Sequence, residues 1–387
     1  MKRGVLTLLA ALLLALCACA APQQKSPAQE PAQTEPAAAV SWDDLSFDQT
    51  LPLRYATQFS VAYAGDAYKR LTIGDDQTFL LVAEGASVPT GVPADVTVLQ
   101  QPLCRIYLVA TAAMDYFAEL DAVDRIALSG QKADNWSIEA AKSAMQSGAM
   151  VYAGKYSAPD YETILAAGCD LAIENTMIYH MPEVIEQLES IGVPVLVERS
   201  SYESDPLGRI EWLKLYAALL GKEDEAVAYY DALLSSLEPA LNQPSTGQTV
   251  AFFYITTSGA VNVRKSGDYI AKSIRMAGGE YVSFDETGEE NALSTMTIQM
   301  ESFYDGARNA DVLIYNSTVD GELSTIDELL AKSPLLADFK AVQTGNVWCI
   351  SKDFYQQSLA LGDVILDVHA ILNDPDAANL RFLQKLS

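Results

Sequence analysis

Pro159-Asp-Tyr-Glu-Thr-Ile-Leu-Ala-Ala-Gly-Cys-Asp-Leu-Ala-Ile173 is the stretch whose reading decides the fold. Ser157-Ala-Pro-Asp160 matches a capping box with Pro early in the first turn, so a helix is predicted to run on through Glu162, Ile164 and Leu165. Leu171-Ala-Ile173 then reads as a short strand. The same alternation continues outward. Upstream, strands are predicted at 105–109 and 125–127 and helices at 112–120 and 137–147. Downstream, Pro182 opens a helix ending near Gly192, and Val195-Leu-Val197 is the next strand. Such alternation builds a mostly parallel sheet covered by helices on both faces.

Between Pro206 and Leu241 strand signals vanish. Asp205 and Pro206 cap and open a helix, Gly221 breaks it, and residues 223–237 form a second one. The α/β alternation then restarts, with strands at 250–255, 312–315 and 347–350 and a closing helix over 358–372. Residues 50–85 differ from both halves: short alternating runs punctuated by Gly65-Asp66 and Gly74-Asp75-Asp76 read as an antiparallel β segment. The fold class is therefore α/β, with two Rossmann-like lobes joined by a long helical linker and a small N-terminal antiparallel β segment. The expected boundaries are 45–205 for the first lobe, 206–241 for the linker and 242–387 for the second lobe. A ligand belongs in the crevice where strand ends of the two lobes face each other.

The chain ahead of these lobes sets where it works. Lys2 and Arg3 form a positive head, residues 4–16 are almost wholly apolar, and Leu16-Cys17-Ala18-Cys19 follows. This is the pattern of a secretory signal, with an apolar run too short to span a bilayer. Its end resembles a bacterial lipobox, with residues 1–18 removed and Cys19 carrying the lipid. The Ala-, Pro-, Gln- and Glu-rich stretch that follows reads as a flexible tether over 19–44. The expected location is the extracytoplasmic face of the cell membrane.

With 25 Lys and Arg against 51 Asp and Glu, the net charge is −26. That excess argues against nucleic acid and against a polybasic hold on anionic lipid. Cys104, Cys169 and Cys349 adjoin apolar runs and read as buried thiols, with one disulfide among them left open. Two His, and no CxxC or HExxH pattern, argue against a zinc site.

There is no GxSxG elbow, Walker A loop or GxGxxG after a strand, and no catalysis is expected. His369 falls inside the last helix, and Asp43-Asp44 and Glu289-Glu290 read as solvated loops. The loops beside predicted strands are richer in chemistry. Lys155 and Tyr156 precede the capped helix, Tyr179 and His180 follow Ile173, and Tyr202 follows Val197. In the second lobe Tyr254, Arg264, Lys265, Tyr269 and Tyr355 take comparable places. Aromatic rings with a few cations suit a bulky, flat or anionic organic ligand.

Several of these stretches together resemble the bacterial ABC-transporter solute-binding proteins of the iron-complex and cobalamin class, whose two lobes are joined by a rigid helix. Residues 105–111 with 120–127 look like the family's opening strand, helix and turn, and residues 159–173 like its helix–strand unit. Ile191-Gly-Val-Pro-Val195, Leu220-Gly-Lys-Glu-Asp-Glu-Ala226, Ala277-Gly-Gly279 and Ala310-Asp-Val-Leu-Ile314 continue the match in order, covering about 100–372. Cys169 stands where the family usually has Pro, and the β segment lies outside the family core.

The resemblance implies a lipid-tethered monomer that captures an iron complex, a ferric siderophore first and haem or a corrinoid otherwise, and delivers it to a permease with its ATPase. It further implies that Glu162 and Glu301 dock the two lobes onto the permease, with Asp305 the alternative to Glu301. No resident cofactor is expected, the chelate being cargo. For haem, His180, Tyr179 or Met177 would ligate iron. The other reading is a sensor or interaction lipoprotein whose β segment contacts a partner.

Overall fold

The computed structural model describes residues 40–285 and 295–387. The signal segment, Cys19, most of the tether and Glu289-Glu290 lie outside the described residues.

The first lobe is built on a five-stranded parallel sheet in the order Val195–Glu198, Leu171–Asn175, Ile106–Leu108, Ile126–Ser129, Val151–Tyr152. The three strands Val195–Glu198, Leu171–Asn175 and Ile106–Leu108 are almost continuously buried, as expected of a sheet covered on both faces. The helix at the centre of the sequence reading runs Tyr161–Ala167. Its cap is Asp160, whose side chain accepts from Thr163 N at 3.0 Å. Ser157 does not cap it, because Ala158–Pro159 pairs with Gly154–Lys155 and leaves Ser157 in the turn between them. That hairpin requires glycine at 154: φ is +92° and a Cβ there would lie 2.2 Å from the Ala158 carbonyl oxygen.

The second lobe carries a mixed sheet. Thr249–Ile255, Val312–Asn316 and Val347–Ile350 are parallel, as the sequence predicts. Val261–Arg264, Thr295–Ile298 and Leu383–Lys385 add antiparallel strands at its edges. These short strands alternate or sit in polar surroundings, so they give no continuous apolar run to read.

Three helices join the lobes: Pro206–Glu211, Leu213–Leu220 and Glu223–Leu241. Asp205 caps the first through Leu207 N at 2.8 Å, Gly221 ends the second in the left-handed region, and Glu223, Asp224 and Glu225 favour the positive end of the third. The closing helix Leu361–Asn373 packs into the same core as this linker.

The N-terminal sheet has the order Gln49–Thr50, Phe59–Ala64, Tyr68–Ile73, Gln77–Val82, Val96–Gln100. The first four strands are antiparallel. The fifth pairs parallel to its neighbour, so the segment extends past residue 85 and is not wholly antiparallel. Residues 83–95, rich in Gly and Pro, carry the chain back across before that strand begins. The body also starts earlier than the expected tether boundary: Trp42 N donates to Thr90 O and Thr90 N to Val40 O, at 2.8 and 2.9 Å.

One face of this sheet closes the linker core. Phe59, Val61, Leu71 and Phe79 share a cluster with Trp212 and Tyr216, and the Phe59 and Trp212 rings meet edge-on at 5.1 Å. Leu213 to Leu219 are consequently buried on every side, Lys214 included.

Two buried carboxylates fasten the adjoining extended segment 54–58. Glu211 accepts the backbone N–H groups of Arg54, Tyr55 and Ala56, and Glu203 those of Thr57 and Gln58, all within 3.0 Å. Trp212 Nε1 donates to Glu203 at 3.0 Å, and Lys214 Nζ pairs with Glu211 at 2.7 Å. Gly208 lets the backbones approach, since a Cβ there would lie 2.9 Å from Tyr55 O.

Cys104, Cys169 and Cys349 are free thiols, and burial pushes Cys169 up to about 11. Cys169 and Cys349 are buried as expected, whereas Cys104 is only partly buried, with Arg125 Nη1 donating to its sulfur at 3.1 Å.

Candidate ligand-binding cleft

Parallel strands bring their carboxyl ends to one edge of each sheet, and the loops that follow carry the lobes toward each other. In the first lobe the loop after Ile126–Ser129 holds Gln131 to Ser137. In the second, the turn Lys352–Gln356 follows Val347–Ile350. The two loops interlock. Ser137 N and Oγ donate to Gln356 Oε1 at 2.8 and 2.7 Å, and Gln356 Nε2 donates to Asn135 O at 2.6 Å. Nearby, Leu359 N donates to Asp115 Oδ2 at 2.8 Å; burial nonetheless pushes Asp115 up to about 6, against the pull of that N–H. Elsewhere across the lobes Lys272 Nζ donates to Ser204 Oγ at 3.0 Å, and the Arg209 guanidinium lies 3.9 Å from the Tyr269 ring centre.

Where the interlocked loops part, a cavity of about 380 Å³ opens between residues 131–137 of one lobe and Glu322 with 352–356 of the other. Trp136 is a fixed wall, 2% exposed, with Nε1 donating to Ser129 Oγ at 3.2 Å. Asp134, Lys352 and Asp353 add charge, and Tyr355 adds an exposed ring whose hydroxyl accepts from Gln356 Nε2 at 2.7 Å.

Of the ten residues the sequence singles out for ligand, Tyr355 is the one that lines this cavity. Tyr179 and Tyr202 gather instead around Arg199, which lies 5.0 Å from the Tyr202 ring centre and 2.9 Å from Asp76 of the N-terminal sheet. Burial, then the Asp76 charge, push Tyr179 up, while Arg199 draws it down. His180 is exposed at the end of the same turn, Thr176–His180.

Lys155 is exposed on the hairpin, and Tyr156 packs against the outer core of its lobe. Tyr254 packs against the second-lobe core. Arg264 is held by buried Asp268 at 3.5 Å and stands 5.6 Å from the Tyr269 ring centre; Lys265 adjoins it, half-buried. The expected cluster is thus divided among several places along the strand ends.

Asp134, Trp136, Ser137, Glu322, Asp353 and Gln356 escape the sequence reading. The rule that would find most of them, position after a predicted strand, is the one that found the tyrosines. The loop 131–137 carries neither Tyr nor Arg, so it is missed by chemistry and not by topology, whereas the loop 352–356 is marked only by its Tyr355. Among the described residues no group of three His, Cys, Asp or Glu could hold a metal ion.

Comparison with protein families matches residues 108–353 to the family described as periplasmic binding protein. The chain belongs to that family. Its members bind substrates and are not enzymes. An uncharacterized lipoprotein of Methanocaldococcus jannaschii is 28% identical over 337 residues, 81% of this chain and 77% of that protein.

Among solved structures, a periplasmic haem binding protein from Pseudomonas aeruginosa is similar at a TM-score of 0.56 and 18% identity, over 73% of this chain and 98% of that one. The periplasmic catecholate-siderophore binding protein VctP from Vibrio cholerae is similar at 0.54 and 13% identity, over 71% and 95%. These likenesses show the two-lobed fold of this periplasmic binding protein. The family match begins at residue 108, so the N-terminal sheet lies outside it. No described helix is long and apolar enough to cross a membrane.

Proposed function

We propose that this periplasmic binding protein is the extracytoplasmic receptor of an ABC importer, taking an iron complex, a ferric siderophore, into the inter-lobe cleft and handing it to the permease and its ATPase. The observation that carries the reading is the cavity at the facing strand ends, walled by both lobes. Its size suits a small organic ligand. Support for the ligand class comes from the structural neighbours, which include proteins for haem and for a catecholate siderophore.

Anchoring through lipid on Cys19 accords with the lipoprotein relative. Glu162 and Glu301 are both exposed in the first turn of a helix, Tyr161–Ala167 in one lobe and Met300–Ala307 in the other. Paired exposed carboxylates of this kind would set docking orientation and encounter rate more than affinity. The receptor is read as a monomer.

Trp136 supplies the test. Titration of the chain with ferric catecholates, ferric hydroxamates, haem and cobalamin should give saturable quenching with one class, and Trp136→Phe should remove most of that signal. No binding across the panel would refute the iron-complex reading. Haem is the second reading, because Met177, Tyr179 and His180 are all exposed on one turn after a strand end. A Soret shift that disappears in His180→Ala would decide for it.

A further inference from the structure

The walls of the inter-lobe cavity carry more than shape. Asp134, Glu322 and Asp353 face it against a single cation, Lys352. The carboxylates are not neutralised by their neighbours. Glu322 Oε1 accepts from Ser351 Oγ and Lys352 N at 3.1 and 2.7 Å, and Asp353 Oδ2 accepts from Gln357 Nε2 at 2.9 Å. All of these donors are uncharged, and among the described residues none of the three acids, nor Lys352, enters an ion pair.

The acids do not form a coordination set either. They stand as separate charges around the cavity. The exposed Tyr355 ring beside them adds a π face, which attracts a cation. The cations that would favour an anionic ligand lie elsewhere: Arg264 is engaged by Asp268 and Arg199 by Asp76, and neither Lys155 nor Lys265 lines the cavity. The buried amide of Gln356 is occupied in joining the lobes.

We infer that the cleft selects its ligand by charge, taking a cationic organic chelate bearing an ammonium group and rejecting anionic ones, with Asp134, Glu322 and Asp353 as the specificity-determining residues. This rests on the receptor reading above, and it excludes the anionic option among the bulky, flat or anionic ligands that the sequence-derived cluster of rings and cations suits. Rejection matters as much as attraction here, since a ligand carboxylate or catecholate brought against unpaired acids meets like charge at close range.

The test uses one chelate in three charge states: the ferric complex of desferrioxamine B with its free amine (cationic), with the amine acetylated (neutral) and with the amine succinylated (anionic). Titrated against the full chain in low salt, affinity should fall in that order, by about tenfold or more between the extremes. The gap should narrow as salt is raised, and should fall to within about threefold in the Asp134→Asn, Glu322→Gln, Asp353→Asn variant. Equal or tighter binding of the succinylated form by the native chain overturns the inference and leaves the receptor reading intact, as does tight binding of a triply anionic ferric catecholate.

If no iron complex binds, the iron assignment fails, and matched metal-free aromatic ions, a quaternary ammonium and a sulfonate, are titrated instead. Preference for the ammonium then sustains the charge selection. Preference for the sulfonate, or no binding of either, overturns it.

Discussion

Glu174 shows how much a single side chain can depend on what lies over it. In the sequence it is the first polar residue after an apolar strand and reads as the start of a loop. In the structure it still belongs to the strand, Leu171–Asn175, is fully buried, and neither carboxylate oxygen has a hydrogen-bond partner. Burial pushes it up from 4.5 to about 8. An acid whose proton is held more tightly in the folded state loses nothing below its unfolded value. It destabilises progressively as pH rises between the two values, and above the upper one the penalty is constant.

The native chain should therefore lose stability from about pH 4.5 to pH 8, and Asp115, raised to about 6, contributes with the same sign. Glu174→Gln should flatten part of that slope and raise stability at pH 8 by a few kcal/mol. Thermal unfolding of both proteins across that range checks it, and parallel curves would show that Glu174 finds a partner when ionised. Nothing in the neighbouring residues announces this burial, and Tyr107 and Tyr161, which feel the Glu174 charge, arrive from other elements.

At the scale of elements, the parallel strands and their helices were legible because each is a short apolar run flanked by caps. Val347–Ile350 matches its expected bounds. The missed edges are strands such as Val261–Arg264 that only pairing defines. The fastening of residues 54–58 was also invisible, since Glu203 looks like an ordinary loop acid and Glu211 like a surface acid of a helix. Their burial follows from the sheet laid over the linker. Glu211→Ala would leave Lys214 buried without its partner and three backbone N–H groups without an acceptor. The expected cost is about 3–5 kcal/mol, measured by urea unfolding. Glu211→Gln should cost less, since an amide oxygen still accepts.

For the whole molecule, the two lobes, the linker and the crevice between strand ends followed from alternation of strand and helix. The particular residues that wall the crevice did not, because they depend on which loops of the two lobes meet. The role of the N-terminal sheet was the largest gap. Phe79 and Leu81 share one core with Trp212, Leu108 and Ile365, so the sheet is structural and cannot be treated as a detachable module. Deleting residues 41–100 should abolish cooperative unfolding and solubility, not merely a partner contact. A soluble, ligand-binding truncation, checked by near-UV circular dichroism and titration, would show otherwise.

The pairing of Val40 and Trp42 with Thr90 has a mechanical meaning. Tension on the chain ahead of Val40 would act first on the loop 83–95, which leads into the edge strand Val96–Gln100. From there the load passes through Lys69 to Glu223 and through residues 54–58 to Glu203 and Glu211, into the linker. The force path bypasses the loops around Gln356. If the chain is tethered through its N-terminus, it can be tugged, by drag or by collision, without prying its lobes apart.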